Sequence, residues 1–424
     1  MAMRGLLRLG AAAALTVLAL RVEAAELPVA APAEVGMGRM ERIDSFFRAE
    51  VAARRLPGAV VMIAREGRVV YHEAFGTRDP AIGVPMAKDS IFRIYSMTKP
   101  VTAVAVLMLM EEGKLRLGDP ASRFLPALRS PKVLVETVDA QGQRQSTQVP
   151  AEREITILDL LRHTSGMTYG VFGNTPVDQM MRAAGLNDAA MKFRLTDMQV
   201  AEAMGKLPLL QQPGTQWQYG RSTDVLLALV EAVSGQRGDA FMQERIFGPL
   251  GMVDTAFNLP AGKRGRMAEP GPDPATGTTP ALTDVTQERV FLGGGEGLLS
   301  TASDYMRFAL MLANGGSLDG VRLLSRKSVE LMTADHMSAD IGTGRGYLPG
   351  PGHGFGLTVA VRTAAGQASG PGSVGEFRWG GYAGTTFWVD PAERLVPIMM
   401  IQAPAQSRNA GGAFRGLVYQ AILD

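Results

Sequence analysis

The chain has 424 residues, 46% apolar and 20% charged, enough for a large core in one catalytic unit of two lobes. Its formal charge of +2 is carried by interspersed acidic and basic residues, so neither nucleic acid nor a polyanionic partner has compositional support. Cysteine is absent, and the four histidines (His72, His163, His336, His353) are far apart in sequence, which excludes disulfides and thiol chemistry and implies no metal and no cofactor.

Residues 1–24 have the pattern of an export signal. Arg4 and Arg8 precede an apolar run, Leu9 to Leu20, that is too short to span a bilayer, and cutting is expected after Ala24. A periplasmic or secreted location follows, or a cytoplasmic one if the segment is not processed. No later run is long and apolar enough to cross a membrane.

After a Pro/Ala-rich linker, Met40, Ile43, Phe47 and Val51 recur at helical spacing. Ala59–Ala64 and Val69–Phe75 read as two strands joined by a turn at residues 65–68. Pro100–Met110 is apolar almost all round and ends at Gly113, as a buried helix would. The middle of the chain is expected to be helices and loops, with helices at Leu158–Arg162, Thr196–Met204 and Ser222–Val233. Thr301-Ala302-Ser303-Asp304 resembles a capping box opening a helix through Met311. Strand-like runs return at Gly356–Arg362, Thr385–Val389 and Val396–Ile401, and a helix is expected at Arg415–Ile422. Sheet material at both ends around a helical insert predicts an α+β fold: a body of about residues 35–80 and 286–424 with a helical lobe of about 81–285.

Ser96-Met97-Thr98-Lys99 lies where a loop enters the buried helix. Residues three apart share a helix face, so hydroxyl and amine can meet. A serine hydroxyl needs a base beside it, and a lysine serves if burial and the positive end of the helix dipole hold it neutral. The Ser96 N–H at the helix start is free to stabilise an oxyanion. By themselves these two positions suit a capping serine and a solvated lysine better than a catalytic pair; the apolar helix favours the chemical reading, because an unpaired lysine there is costly.

Two further segments carry candidate chemistry. Pro213-Gly214 makes a turn before Trp217-Gln218-Tyr219, and Tyr219 on a loop before a helix could relay a proton or simply pack as an aromatic. Trp379-Gly380-Gly381-Tyr382 leads into a strand; its glycines permit close approach to a ligand, and the Tyr382 N–H could complete an oxyanion hole with Ser96. The match to GxGxxG at Gly370–Gly375 has neither strand before it nor helix after it, and reads as a loop. There is no GxxxxGK[ST] phosphate loop and no GxSxG elbow, so an α/β-hydrolase triad is not supported. Tyr169 and Phe172 are candidates to shape a pocket, although spacing does not place them.

Taken in order, Ser96-Met97-Thr98-Lys99, His163-Thr164-Ser165-Gly166-Met167, Trp217 to Asp224, Gly297-Leu298-Leu299-Ser300-Thr301 and Trp379-Gly380-Gly381 resemble the serine β-lactamase and penicillin-binding-protein superfamily. Family VIII carboxylesterases are the most similar branch, and the resemblance runs from about Val35 to the C-terminus. It implies a β-lactamase/transpeptidase-like fold, an antiparallel sheet flanked by helices with a mainly helical lobe. It further implies acylation of Ser96, Lys99 as its base, Tyr219 assisting proton transfer, an oxyanion hole of the Ser96 and Tyr382 N–H groups, and substrate contact at Trp379, Gly380 and Gly381. His163, Ser165 and Met167 would be structural landmarks.

Penicillin-recognising relatives carry Lys-Thr-Gly where this chain has Trp379-Gly380-Gly381, and the Tyr-x-Asn of class C enzymes is Tyr219-Gly220-Arg221 here. A lysine that holds a substrate carboxylate is thus missing, leaving Arg221 or Arg378 to meet one. The expectation is a carboxylesterase for short-chain esters, possessing at most slow β-lactam cleavage. The alternatives are a class C-type β-lactamase or D-alanyl-D-alanine peptidase and, from another class, a non-catalytic binding protein. Oligomeric state is not readable from the sequence.

Overall fold

The computed structural model describes residues 26–344 and 346–424; the expected export segment lies outside the described residues. The N-terminal helix forms as α1 (Glu41–Ala52), with Ile43 and Phe47 buried on one face. The hairpin follows as β1 (Gly58–Arg65) and β2 (Arg68–Asp79). Arg65 pairs with Arg68, so the turn is the two residues Glu66 and Gly67, at φ +56° and +75°, the left-handed pair that suits strand twist. A short β3 (Val84–Pro85) edges β2.

The remaining strands of the main sheet come from the C-terminal region. They are β4 (His353–Phe355), β5 (Ala360–Arg362), β6 (Phe377–Gly380), β7 (Thr386–Val389) and β8 (Leu395–Ile401). The order is β4-β5-β6-β7-β8-β1-β2-β3, and every pairing is antiparallel. Strand β8 beside β1 joins the two ends of the chain, giving the α+β architecture expected from the sequence.

The centre of this sheet is buried on both faces, and the alternation of side chains divides it between two cores. Val60, Met62, Ala64, Val396, Ile398 and Met400 enter a large core shared with helix α2 (Thr98–Glu111), α3 (Ser222–Ser234) and α4 (Ala302–Ala313). Ala59, Val61, Ile63, Leu395, Met399 and Ile401 face a second core under α1 and α5 (Ser407–Tyr419). Strands that read as continuous apolar runs are therefore central ones.

The sequence expectations are adjusted at three places. Gly356–Arg362 is not one strand: Gly356 N–H donates to the Val359 carbonyl (2.8 Å), turning the chain between β4 and β5, with Thr358 at φ +71°. The C-terminal helix begins at Ser407, because Ala410, Phe414 and Val418 form its buried stripe; Gly411, Gly412 and Gly416 weaken the local helix signal without breaking the face. The middle region also holds a hairpin, Lys132–Val138 with Arg144–Pro150, in which Val133 and Leu134 are buried; its second strand is almost wholly polar and exposed and gave no apolar pattern to read. The Gly370–Gly375 segment is a connecting loop between β5 and β6.

Phe47 sits at the centre of the second core, its ring against Phe46 (5.1 Å), Phe75 (5.3 Å) and Phe414 (6.1 Å). Phe47→Ala is expected to cost roughly 3–5 kcal/mol in urea unfolding. A loss under about 1 kcal/mol would show that this core does not hold α1 and α5 to the sheet.

Candidate active site

The segment before α2 is fixed at several points. A two-residue ladder pairs Phe92–Arg93 with Leu299–Ser300, and Tyr95–Met97 forms a single tight turn running into α2. Tyr305 Oη donates to the Met97 carbonyl (2.9 Å), and Leu298 N–H donates to Thr98 Oγ1 (3.0 Å). Tyr95 takes φ +43°, a conformation that costs a non-glycine residue energy and is found where a fold over-determines a functional turn. Ser96 is thereby held immediately before the helix proper, and Lys99 sits in its first turn.

Lys99 is completely buried in a helix that is apolar nearly all round. Its Nζ nevertheless has three partners: Ser96 Oγ at 3.1 Å, Tyr169 Oη at 2.8 Å and the Gly295 carbonyl at 2.7 Å. It also lies 4.7 Å from the centre of the Tyr219 ring. Tyr219 Oη donates to Ser96 Oγ at 2.7 Å, so one hydroxyl is contacted by both an amine and a phenol.

Aromatic packing orients Tyr219. Its ring stacks on Trp217 (5.7 Å, 8°) and meets His163 (4.9 Å), Tyr169 (5.3 Å) and Trp379 (5.6 Å). Gln218 N–H donates to the His163 carbonyl (2.7 Å), and Ser165 Oγ bonds Ser222 Oγ (2.8 Å), which ties the His163–Met167 segment to the loop carrying Tyr219. At Gly220 any Cβ would overlap the Met167 carbonyl, so the close crossing of these two segments requires glycine. Burial, and then the charge of Lys99, push the His163 imidazole well below its usual range, so it is a neutral packing ring.

The Trp379 strand completes the wall. Gly381 lies against the Ile94 carbonyl, two residues before Ser96, where a Cβ would collide, and its N–H donates to Thr385 O (2.7 Å). The Tyr382 ring packs edge-on against Tyr95 (5.5 Å), and the Tyr382 N–H has no acceptor among the described residues. Ser96, Tyr219, Trp379, Gly380, Gly381 and Tyr382 all line one open cavity of about 1010 Å³. The structure therefore brings Ser96, Lys99 and Tyr219 into direct contact, with the glycine turn beside them.

Four contributors were not assigned from the sequence. Tyr169 was left unplaced, and it is a direct partner of Lys99; burial, and then Asp224, raise its phenol far above the usual range, so it stays protonated. The Gly295 carbonyl belongs to the run Gly293-Gly294-Gly295-Glu296-Gly297, whose glycine density was the available signal. Asp224 holds this run through the Gly295 N–H (2.8 Å), and Asp197 through the N–H groups of Leu292 (2.8 Å) and Gly293 (2.9 Å). Burial raises the Asp197 carboxyl to about 7. Arg221 is buried and paired with Asp224 (3.2 Å), so it does not face the cavity, whereas Arg378 lines it. No group of three or more histidine or carboxylate side chains among the described residues is placed to hold a metal ion.

A family model described as Beta-lactamase matches residues 43–420. The chain belongs to the beta-lactamase family. Among its relatives is Protein Rv1367c of Mycobacterium tuberculosis, 37% identical over 372 residues that cover 85% of this chain and 90% of the other. Esterase EstB of Burkholderia gladioli is 31% identical over 379 residues, 85% of this chain and 89% of the other. Among solved structures, EstCE1, described as a hydrolase with promiscuous acyltransferase activity, superposes with a TM-score of 0.75 at 25% identity, covering 91% of this chain and 98% of that one.

The two tyrosines at this beta-lactamase-family site should separate kinetically. Tyr219→Phe removes a hydroxyl that touches the Ser96 oxygen and is expected to lower kcat by roughly 10²–10⁴-fold. Tyr169→Phe removes only a fixed dipole on Lys99, a loss of roughly 10–100-fold from one charge-assisted hydrogen bond. Equal, near wild-type rates for Tyr219→Phe would remove it from the proton path.

Proposed function

We propose that this chain is a serine carboxylesterase that cleaves short-chain esters through an acyl-enzyme on Ser96. The observation that carries the reading is the double contact on the Ser96 oxygen, from Lys99 at 3.1 Å and Tyr219 at 2.7 Å. As Ser96 Oγ attacks the ester carbonyl carbon, Lys99 Nζ takes its proton and the carbonyl oxygen becomes an oxyanion. The N–H groups of Ser96 and Tyr382 are the donors assigned to that charge. When the C–O bond to the alcohol breaks, the proton passes through Lys99 and Tyr219 to the leaving alkoxide. Water then attacks the acyl carbon, its proton returns by the same pair to Ser96 Oγ, and the carboxylic acid leaves.

Esterase names among the relatives support this reading, as does the wall of the cleft. Where penicillin-recognising relatives have a lysine, Trp379 lays its ring against Tyr219 and Phe355, which suits apolar ester parts and supplies no cation. Phe172, Leu348 and Tyr382 add exposed apolar surface at the cavity, a sign of a binding mouth. The N-terminal pattern of residues 1–24 supports action outside the cytoplasm.

Purified protein is expected to hydrolyse p-nitrophenyl acetate and butyrate, with Ser96→Ala lowering kcat by roughly four orders of magnitude or more. A chromogenic cephalosporin should turn over more slowly than the better ester. Retained turnover in Ser96→Ala would remove the nucleophile assignment; faster cephalosporin cleavage would favour a β-lactamase; a folded but inert protein would favour a binding role.

A further inference from the structure

Arg221 stands two residues after Tyr219, yet the fold turns it away from the cleft and into the protein, where it is 4% exposed. Its Nη1 donates to Asp224 Oδ2 (3.2 Å) and its Nη2 to the Leu186 carbonyl (2.9 Å). The guanidinium lies over the rings of Tyr169 (5.6 Å) and Phe291 (5.8 Å). Tyr169 thus meets two cations, Arg221 with its ring and Lys99 with its hydroxyl. An ion pair buried this deeply adds little stability over apolar side chains of the same size, so its place beside the Lys99 amine calls for another explanation.

Lys99 is faced by Tyr219 from the loop before α3, by His163 and Tyr169 from the segment 163–169, by Asp224 from α3 and by Glu296 from the glycine run. His163 is neutral and Tyr169 protonated, so the two carboxylates decide the charge around the amine. Glu296 is matched by Lys192 (2.9 Å). Asp224 is matched by Arg221, its one ion-pair partner among the described residues. A Cβ at Gly295 would stand 3.0 Å from Asp224 Oδ1 and 3.3 Å from Lys99 Nζ, so carboxylate and amine flank a single backbone position. Burial raises the Asp224 carboxyl; Arg221 opposes this, Glu296 adds to it and Lys99 opposes it again. Arg221 and Lys99 therefore compete for one carboxylate. A carboxylate this near favours the charged form of an amine, and a charged amine cannot take a proton from Ser96. The hydrogen bonds of Lys99 suit the neutral form: the Gly295 carbonyl and Tyr169 Oη accept its two N–H groups, which leaves the lone pair for the Ser96 hydroxyl.

We propose that Arg221 is a positioning residue for the reaction at Ser96: by neutralising Asp224 it leaves the Lys99 amine free to accept the serine proton. The proposal rests on the esterase reading, with Lys99 as base, and extends it to the charges behind that base. Arg221 touches neither substrate nor nucleophile; it acts through Asp224 on Lys99. Arginine suits the position because its own charge persists when buried.

The test follows kcat/KM of the full chain for p-nitrophenyl butyrate from about pH 5 to 9. In Arg221→Met, Lys99 is the cation left to Asp224, and the acid limb of the profile should move up by roughly one to three pH units. Below the new limb the loss is about tenfold for each unit of displacement, and it should shrink as the pH rises. Arg221→Met combined with Asp224→Asn removes both charges and keeps an oxygen for the Gly295 N–H; it should return the limb towards its wild-type position. Should Arg221→Met not fold, Asp224→Asn alone gives the sign: Arg221 then acts on the amine uncancelled, and the limb should move down. A limb that stays in place in the folded variant, or activity lowered equally at every pH, would overturn the proposal. So would a double variant whose limb stays where Arg221→Met puts it. Failure of the esterase reading has a different signature, wild-type protein with no hydrolysis at any pH.

Discussion

A lysine buried in an apolar helix is the constraint on which the rest of the site depends. Lys99 has no surface exposure, and its amine must find partners inside the protein or destabilise it severely. The fold supplies three: Ser96 one helical turn back, the Tyr169 hydroxyl and the Gly295 carbonyl. Each partner directs the amine as well as satisfying it, so the same contacts that make the burial tolerable aim Nζ at the serine oxygen.

The Gly293–Gly297 run serves this arrangement. Its backbone passes so close to α3 that side chains at Gly294 or Gly295 would meet Leu227 or Asp224, and it folds back on itself so tightly that one at Gly297 would meet the Leu292 carbonyl. Asp197 and Asp224 hold it by backbone N–H groups, and Glu296 is bound to Lys192 (2.9 Å). Although burial opposes its charge, Lys192 and Arg221 outweigh that and hold the Glu296 carboxyl down at about 2. A mobile loop could not present the Gly295 carbonyl to an amine in a fixed direction; a loop anchored by two buried carboxylates can.

What could be read from the sequence follows the range of the interactions. The Ser96–Lys99 pair is local to one helical turn, and the apolar run behind it announced the burial, so both were legible. The strands beside β1 were legible as apolar runs, and the pairing of β1 with β8 followed from neither alone, because it joins residues more than three hundred positions apart. Tyr169 and Gly295 meet Lys99 from 70 and 196 residues away, and no spacing rule reaches them. Arg221 and Arg378 were equal candidates for a carboxylate in sequence; only packing separates a guanidinium neutralised beside Asp224 from one that borders the cleft.

The cavity opens on Ser96 beside Tyr219, Trp379 and Tyr382, so the nucleophile and the rings that border it are carried by different strands and helices. The central claim remains the identity of the attacking oxygen, and reaction with a p-nitrophenyl alkylphosphonate followed by peptide mass mapping tests it most directly. The account predicts a single phosphonylated residue, Ser96, and no adduct in Ser96→Ala. An adduct on another side chain, or equal labelling of the alanine variant, would contradict it.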